Sequence, residues 1–139
     1  MSVTLRMIRR EARDYVLLDG SVEVGWLRGG EIGFCGFADR ASARMAGEVA
    51  ASVLAEWYAT RWYSAPHACA SAVAPGDQIT TQGVVVGRIV APGTPPVGRA
   101  DSHGVQLALP REMWVAVILE LAQRIYAAVA RRGASYAVA

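Results

Sequence analysis

The sequence contains no lysine and no asparagine, and only two cysteines and two histidines. Cys35 and Cys69 cannot by themselves supply the disulfide framework of a small secreted scaffold. No basic segment, apolar segment and small-residue cleavage site open the chain, so a cytoplasmic protein is expected. The longest apolar run, Trp114 to Ala130, is interrupted by Glu120, Gln123 and Arg124. A membrane span wants ~20 largely uninterrupted apolar residues, so no membrane association is expected. Neither a Gly-x-Gly-x-x-Gly nor a Walker loop is present. Gly25, Gly29, Gly30, Gly33 and Gly36 therefore read as turns and places of close backbone approach. A net charge of +2 is small for a dedicated nucleic-acid binder, which usually carries a basic stripe.

All 14 basic residues are arginine. Coding bias in a GC-rich bacterial or phage genome is the simple explanation. Selection for bidentate contacts to phosphate or carboxylate, which lysine cannot make, is the sharper one. At 139 residues, 53% hydrophobic and 19% charged, the chain reads as a single globular domain with a real core.

What the chain does have is a pattern that occurs twice. Val16-Leu17-Leu18-Asp19-Gly20-Ser21-Val22-Glu23-Val24-Gly25-Trp26-Leu27 runs parallel to Ile79-Thr80-Thr81-Gln82-Gly83-Val84-Val85-Val86-Gly87-Arg88-Ile89, one residue shorter between the glycines. Each copy leads through a loop and a short apolar stretch into an Ala-rich helical pattern. The repeat spans about 15–62 and 78–131, joined by an Ala/Ser/Pro-rich connection at 64–77.

The elements follow from periodicity. Val3, Leu5 and Met7 alternate with polar residues as in a strand with one buried face, and Arg9 to Asp14 reads as a polar break. Tyr15–Leu18 and Val22–Leu27 form a hairpin across Asp19-Gly20, and Ile32–Phe37 is a further strand. Asp39 is placed to cap a helix ending near Trp62, with a stripe at Met45, Val49, Val53 and Trp57. In the second half, Ile79–Thr81, Val84–Val90 and the alternating Val105, Leu107 and Leu109 give strands. A Pro-rich loop spans 91–104, and a helix opens at Pro110 and runs to about Arg131. The expected fold is α+β: two repeated antiparallel β-meander-plus-helix units with pseudo-twofold symmetry and both helices on one side of the sheet.

The second helix is apolar around most of its circumference, so it must be covered on more than one side. Either the first helix or a second subunit does this. The expectation is a homodimer or homo-oligomer built on Trp114, Ile118, Leu121 and Ile125.

Candidate chemistry is sparse. His103, Asp101 and Cys35 could ligate zinc, but their spacing matches no finger or ribbon, and two loop histidines with buried or incidental thiols are the much simpler explanation. Cys35 or Ser102 with His103 as base lacks a nucleophile elbow. Glu23 and Glu31 across the Gly29-Gly30 turn read most simply as solvent-facing carboxylates. Arg28, Arg88 and Trp26 lie at matching or nearby places in the two copies. Aromatics and arginines on a sheet face can stack bases and grip phosphate, although core packing is the plainer role for the aromatics. The order of three strands and a helix in each unit is similar to that of the arm-binding domains of phage integrases, a likeness that implies DNA contact through the sheet.

The leading expectation is a non-enzymatic protein of bacterial or phage origin that acts through protein–protein surfaces, as a dimeric adaptor, assembly component or regulator, with no cofactor. The alternatives are nucleic-acid binding through the Arg/aromatic face, and a small-molecule or metal site under the 91–104 loop.

Overall fold

The computed structural model describes residues 5–11, 14–28, 31–61, 66–93, 102–109 and 114–131. The period-two segments form seven strands: β1 (Leu5–Glu11), β2 (Asp14–Asp19), β3 (Val22–Arg28), β4 (Glu31–Phe37), β5 (Gln78–Thr81), β6 (Val84–Val90) and β7 (His103–Ala108). All pair antiparallel in one sheet, in the order β1-β2-β3-β4-β7-β6-β5. β1 begins where the alternation of Leu5 and Met7 places it. It then continues through Arg9 to Glu11, so the polar segment expected to break the strand is carried within it. A polar edge strand tolerates this, since only one of its faces must be apolar.

Two hairpins carry matching irregularities. Between β2 and β3 the register shifts after Leu17↔Gly25 to Leu18↔Glu23, leaving Val24 as a bulge. Between β5 and β6 it shifts after Ile79↔Gly87 to Thr80↔Val85, leaving Val86 as one. The second hairpin turns at Gln82 and Gly83, both at positive φ (51° and 78°), the geometry of a type I′ turn.

Helix α1 (Arg40–Thr60) starts where expected: the Asp39 carboxylate accepts the Ser42 backbone N–H at 2.7 Å. Of the expected stripe, Val53 and Trp57 are buried, whereas Met45 and Val49 are half-buried against the core. The first turns bury instead the small-residue line Ala43, Ala46, Gly47 and Ala50, which continues into Val53, Leu54 and Trp57. Small residues let the helix approach the sheet closely. A Cβ on Gly47 would stand 3.0–3.1 Å from Ile79 and Ile89. Thr81 Oγ1 also donates to the Ala51 carbonyl at 2.8 Å, pinning β5 to this helix.

Helix α2 (Trp114–Arg131) lies beside α1 and over β1 and β4. Val117, Ile118, Leu121, Ala122, Ile125, Tyr126 and Val129 are all buried in the same core as Leu17, Phe34, Leu54 and Trp57. Three of the residues expected at an interface, Ile118, Leu121 and Ile125, are fully covered within this one chain, where α1 and the sheet flank the helix on two sides. Trp114 opens the helix, but its side chain lies outside what is described. The first helix is thus one of the bodies that cover the apolar surplus of α2.

Tyr126 ties α2 to the sheet. Its ring stacks on Phe37 with centroids 5.4 Å apart and meets Phe34 edge-on at 6.3 Å. Its hydroxyl lies 2.6 Å from the Val24 carbonyl and 2.8 Å from that of Cys35. Val24 is the β3 bulge, and Cys35 lies within the irregular stretch between Phe34 and Phe37. The carbonyls of two strand irregularities thus share one buried hydroxyl.

Among the described residues no helix is long and apolar enough to cross a membrane. Cys35 and Cys69 are both free thiols.

Candidate functional site

The helices cover one face of the sheet, and register determines which side chains lie on the other. Gly25 faces Leu17 and Phe34, so its neighbour Trp26 faces away from the helices. Gly87 faces Leu107, which places Arg88 on that same outer face. A cross-strand row then runs Val16, Trp26, Gly33, Gln106, Arg88 and Gln78.

The structure therefore brings two of the sequence-selected residues, Trp26 and Arg88, onto one face and into one row. Trp26 is not a stacking platform, however: it is 1% exposed and lies over Gly33, where a Cβ would stand 2.3 Å from its ring. A base cannot stack on a ring whose faces are covered, so the sheet-face nucleic-acid reading loses its aromatic. Arg88 is held by Gln106: its Nε–H donates to Gln106 Oε1 at 2.9 Å, and Gln106 Nε2 donates onward to the Glu31 carboxylate. Arg28 is exposed at the end of β3, paired in register with Glu31. Gln106 and Glu31 were not picked out for this role from the sequence. The available signal was Gln106 itself, the lone amide between Val105 and Leu107.

Two of the three candidate metal ligands, Cys35 and His103, are among the described residues. Cys35 is buried in β4 with its Sγ 3.7 Å from the Glu23 carbonyl oxygen, and His103 begins β7 opposite Phe37. Among the described residues no three His, Cys, Asp or Glu side chains converge, and Asp101 lies outside them, as does most of the 91–104 loop. Ser102 is fully buried, and its Oγ accepts the Gly36 N–H at 2.9 Å, stitching the β4 irregularity rather than facing His103 as a nucleophile. The Asp39 carboxyl is held below the ordinary carboxylate range, first by the Ser42 backbone N–H, then by the Ser42 hydroxyl, with a smaller contribution from the charge of His103.

Two further surfaces stand out. Between α1 and α2 runs a groove of about 470 Å³, floored by Val49, Val53 and Ala128 and rimmed by Glu48, Arg124 and Arg131. Elsewhere between the helices Arg61 makes a two-pronged ion pair with Glu120 at 3.0 and 3.2 Å while lying over the Trp57 ring. That bond holds the Glu120 carboxyl below its ordinary range.

The other surface is β1, the terminal strand of the sheet. Among the described residues it pairs with β2 on one edge only. Leu5 and Met7 pack inward, while Arg6, Arg9 and Ile8 are exposed. Ile8, at 39%, is the one large hydrophobic side chain exposed among the described residues. Compared with known proteins, the chain matches no family model, no curated protein and no solved structure.

Proposed function

We propose that the protein is a non-enzymatic cytoplasmic interaction module that receives an extended, acidic strand of a partner protein along β1. The observation that carries this reading is Ile8, an exposed apolar side chain midway along a seven-residue terminal strand. An unpaired strand edge presents a row of backbone donors and acceptors, and adding a strand satisfies them while pockets for alternate side chains give specificity.

Charge selects the partner. Arg6 stands two residues before Ile8, and Arg10 two residues after it in the sequence. Antiparallel self-pairing centred on Ile8 would set Arg6 opposite Arg10, and like charges directly opposed disfavour pairing. A partner strand with acidic residues at those positions gains where a second copy loses. The homodimer expected from α2 is therefore replaced by a complex with a different chain.

The same reading takes the domain as two like units related by a pseudo-twofold axis between β4 and β7. The mirrored strand order about that pair and the bulges at Val24 and Val86 support this. Among the described residues β1 has no counterpart beyond β5. It is the strand that such a repeat does not require, as suits an edge with its own task.

The test is titration of isotopically labelled protein with a synthetic peptide alternating Glu and Val, followed through backbone amide resonances. The largest shifts are expected in β1, with affinity falling as salt rises. Arg6→Glu should weaken binding by ~10-fold, about 1.4 kcal/mol, and a Lys/Val peptide should not bind. Shifts centred elsewhere, or affinity indifferent to Arg6→Glu, would sink the proposal.

A further inference from the structure

The outer face of the sheet carries an arginine whose direction is fixed but whose charge is not neutralised by contact. Arg88 Nε–H is bound to Gln106 Oε1 at 2.9 Å, and Gln106, 6% exposed, is itself anchored through its Nε2 to Glu31. The amide stands between guanidinium and carboxylate, and no ion pair joins Glu31 to Arg88 among the described residues. An amide transmits orientation along such a chain, because its oxygen accepts and its nitrogen donates, but it carries no charge. A guanidinium has five N–H donors, of which one is used here. The four on Nη1 and Nη2 have no partner among the described residues, and Arg88 is only half-buried.

A second observation on the same face points the same way. The indole N–H of Trp26 is buried, at 1% residue exposure, with no acceptor among the described residues. Its ring lies over Gly33, the register partner of Gln106. Two sets of unfilled donors therefore flank Gln106 in one cross-strand row, the indole over β4 and the guanidinium on β6, while the acceptors between them are already engaged. Donors without acceptors, held on rigid strands, are what an oxyanion needs. A forked guanidinium fits a planar carboxylate through two parallel bonds.

The geometry points to a binding site for the carboxylate group of a small molecule, received by Arg88 Nη1 and Nη2, with Gln106 as the positioning residue and the Trp26 N–H as the second donor of the site. This is independent of strand addition at β1, which lies at the far edge of the sheet.

The experiment follows the Arg88 Nε–H and Trp26 indole N–H resonances of the full chain. Sodium acetate, disodium succinate and inorganic phosphate are titrated at ionic strength matched with sodium chloride. Saturable shifts of both resonances with acetate or succinate are the expected result, identifying a carboxylate as the ligand group. Arg88→Lys keeps the charge and removes the fork, and should weaken binding by ~10-fold or more. Gln106→Leu leaves Arg88 in place but unoriented, and should weaken binding while the tryptophan signals of the folded protein persist. Should Gln106→Leu fail to fold, the Arg88→Lys comparison decides alone. Saturation by phosphate but by neither carboxylate would overturn the assignment of the ligand group. Linear drift with every salt, or equal affinity in Arg88→Lys, would overturn the site.

Discussion

Tyr126→Phe removes a single oxygen from the centre of the molecule, and its effect follows from what that oxygen touches. The ring would keep its stacking on Phe37 and its edge contact with Phe34, so no cavity opens. What is lost is the donor lying 2.6 Å from the Val24 carbonyl and 2.8 Å from the Cys35 carbonyl. Both oxygens belong to strand irregularities, and the hydroxyl bonds to them in the buried core. Leaving a buried acceptor unsatisfied costs about 1–3 kcal/mol. Two acceptors shared one proton, so the loss is that of roughly one bond, about 2 kcal/mol. With an m-value of about 2 kcal/mol/M in urea for a small domain, the unfolding midpoint should fall by about 1 M with the slope unchanged. A midpoint lowered by less than ~0.2 M would mean the bulges satisfy themselves, and the role given to Tyr126 would be wrong.

Other substitutions test the remaining parts of the fold. Ile118→Asp should abolish the folded state, read by circular dichroism, rather than yield a folded protein of altered oligomeric mass, because it buries a carboxylate in the intramolecular core. Gly87→Ala should be far more damaging than Gly76→Ala in thermal unfolding. A Cβ at Gly87 would stand 2.2 Å from the Gln106 carbonyl oxygen, whereas one at Gly76 would meet only the end of the Arg40 side chain at 3.5 Å. Asp39→Ala should lower stability in a pH-dependent way. The folded-state pKa of Asp39 lies below its unfolded value, so its contribution is complete above the unfolded pKa and is lost as pH falls through the folded one. Wild-type and variant melting temperatures should accordingly converge in acid and stay apart at neutral pH.

Legibility in the sequence followed the strength of local signals. The hairpins around Gly20 and Gln82-Gly83, the Asp39 cap and the α+β class with helices on one side were readable because turn chemistry, capping and period-two alternation act within a few residues. The buried face of α1 was legible in its second half, at Val53 and Trp57, but not in its first, because Met45 and Val49 are larger than Ala43, Ala46 and Ala50. Size suggests core, whereas the tight approach to Ile79 and Ile89 favours the smallest face. The α2 residues were correctly read as needing cover on several sides. Which body supplies that cover is a tertiary fact that periodicity in α2 cannot contain. The Arg88, Gln106 and Glu31 chain joins residues up to 75 positions apart across three strands, so it becomes visible only once the strand order is known.

The placement of the helices bears on how the β1 edge could work. α1 follows β4 in the chain yet packs chiefly on β5, β6 and β7, while α2 follows β7 and packs on β1 and β4. Each helix therefore completes the core beneath strands from the other half, and removing either half uncovers both. Such an arrangement favours a single cooperative transition over stepwise loss of one unit. It also reaches the terminal strand. Leu5 and Met7 of β1 pack on the core that α2 covers, so this edge is clamped from below rather than free to fray. An edge already held extended spares an incoming strand much of the ordering cost that docking onto a mobile segment would incur. Loosening α2 at Tyr126 should then weaken peptide binding at β1 although no residue of the edge has changed. Direct loss of Arg6, by contrast, should weaken binding with no change in stability.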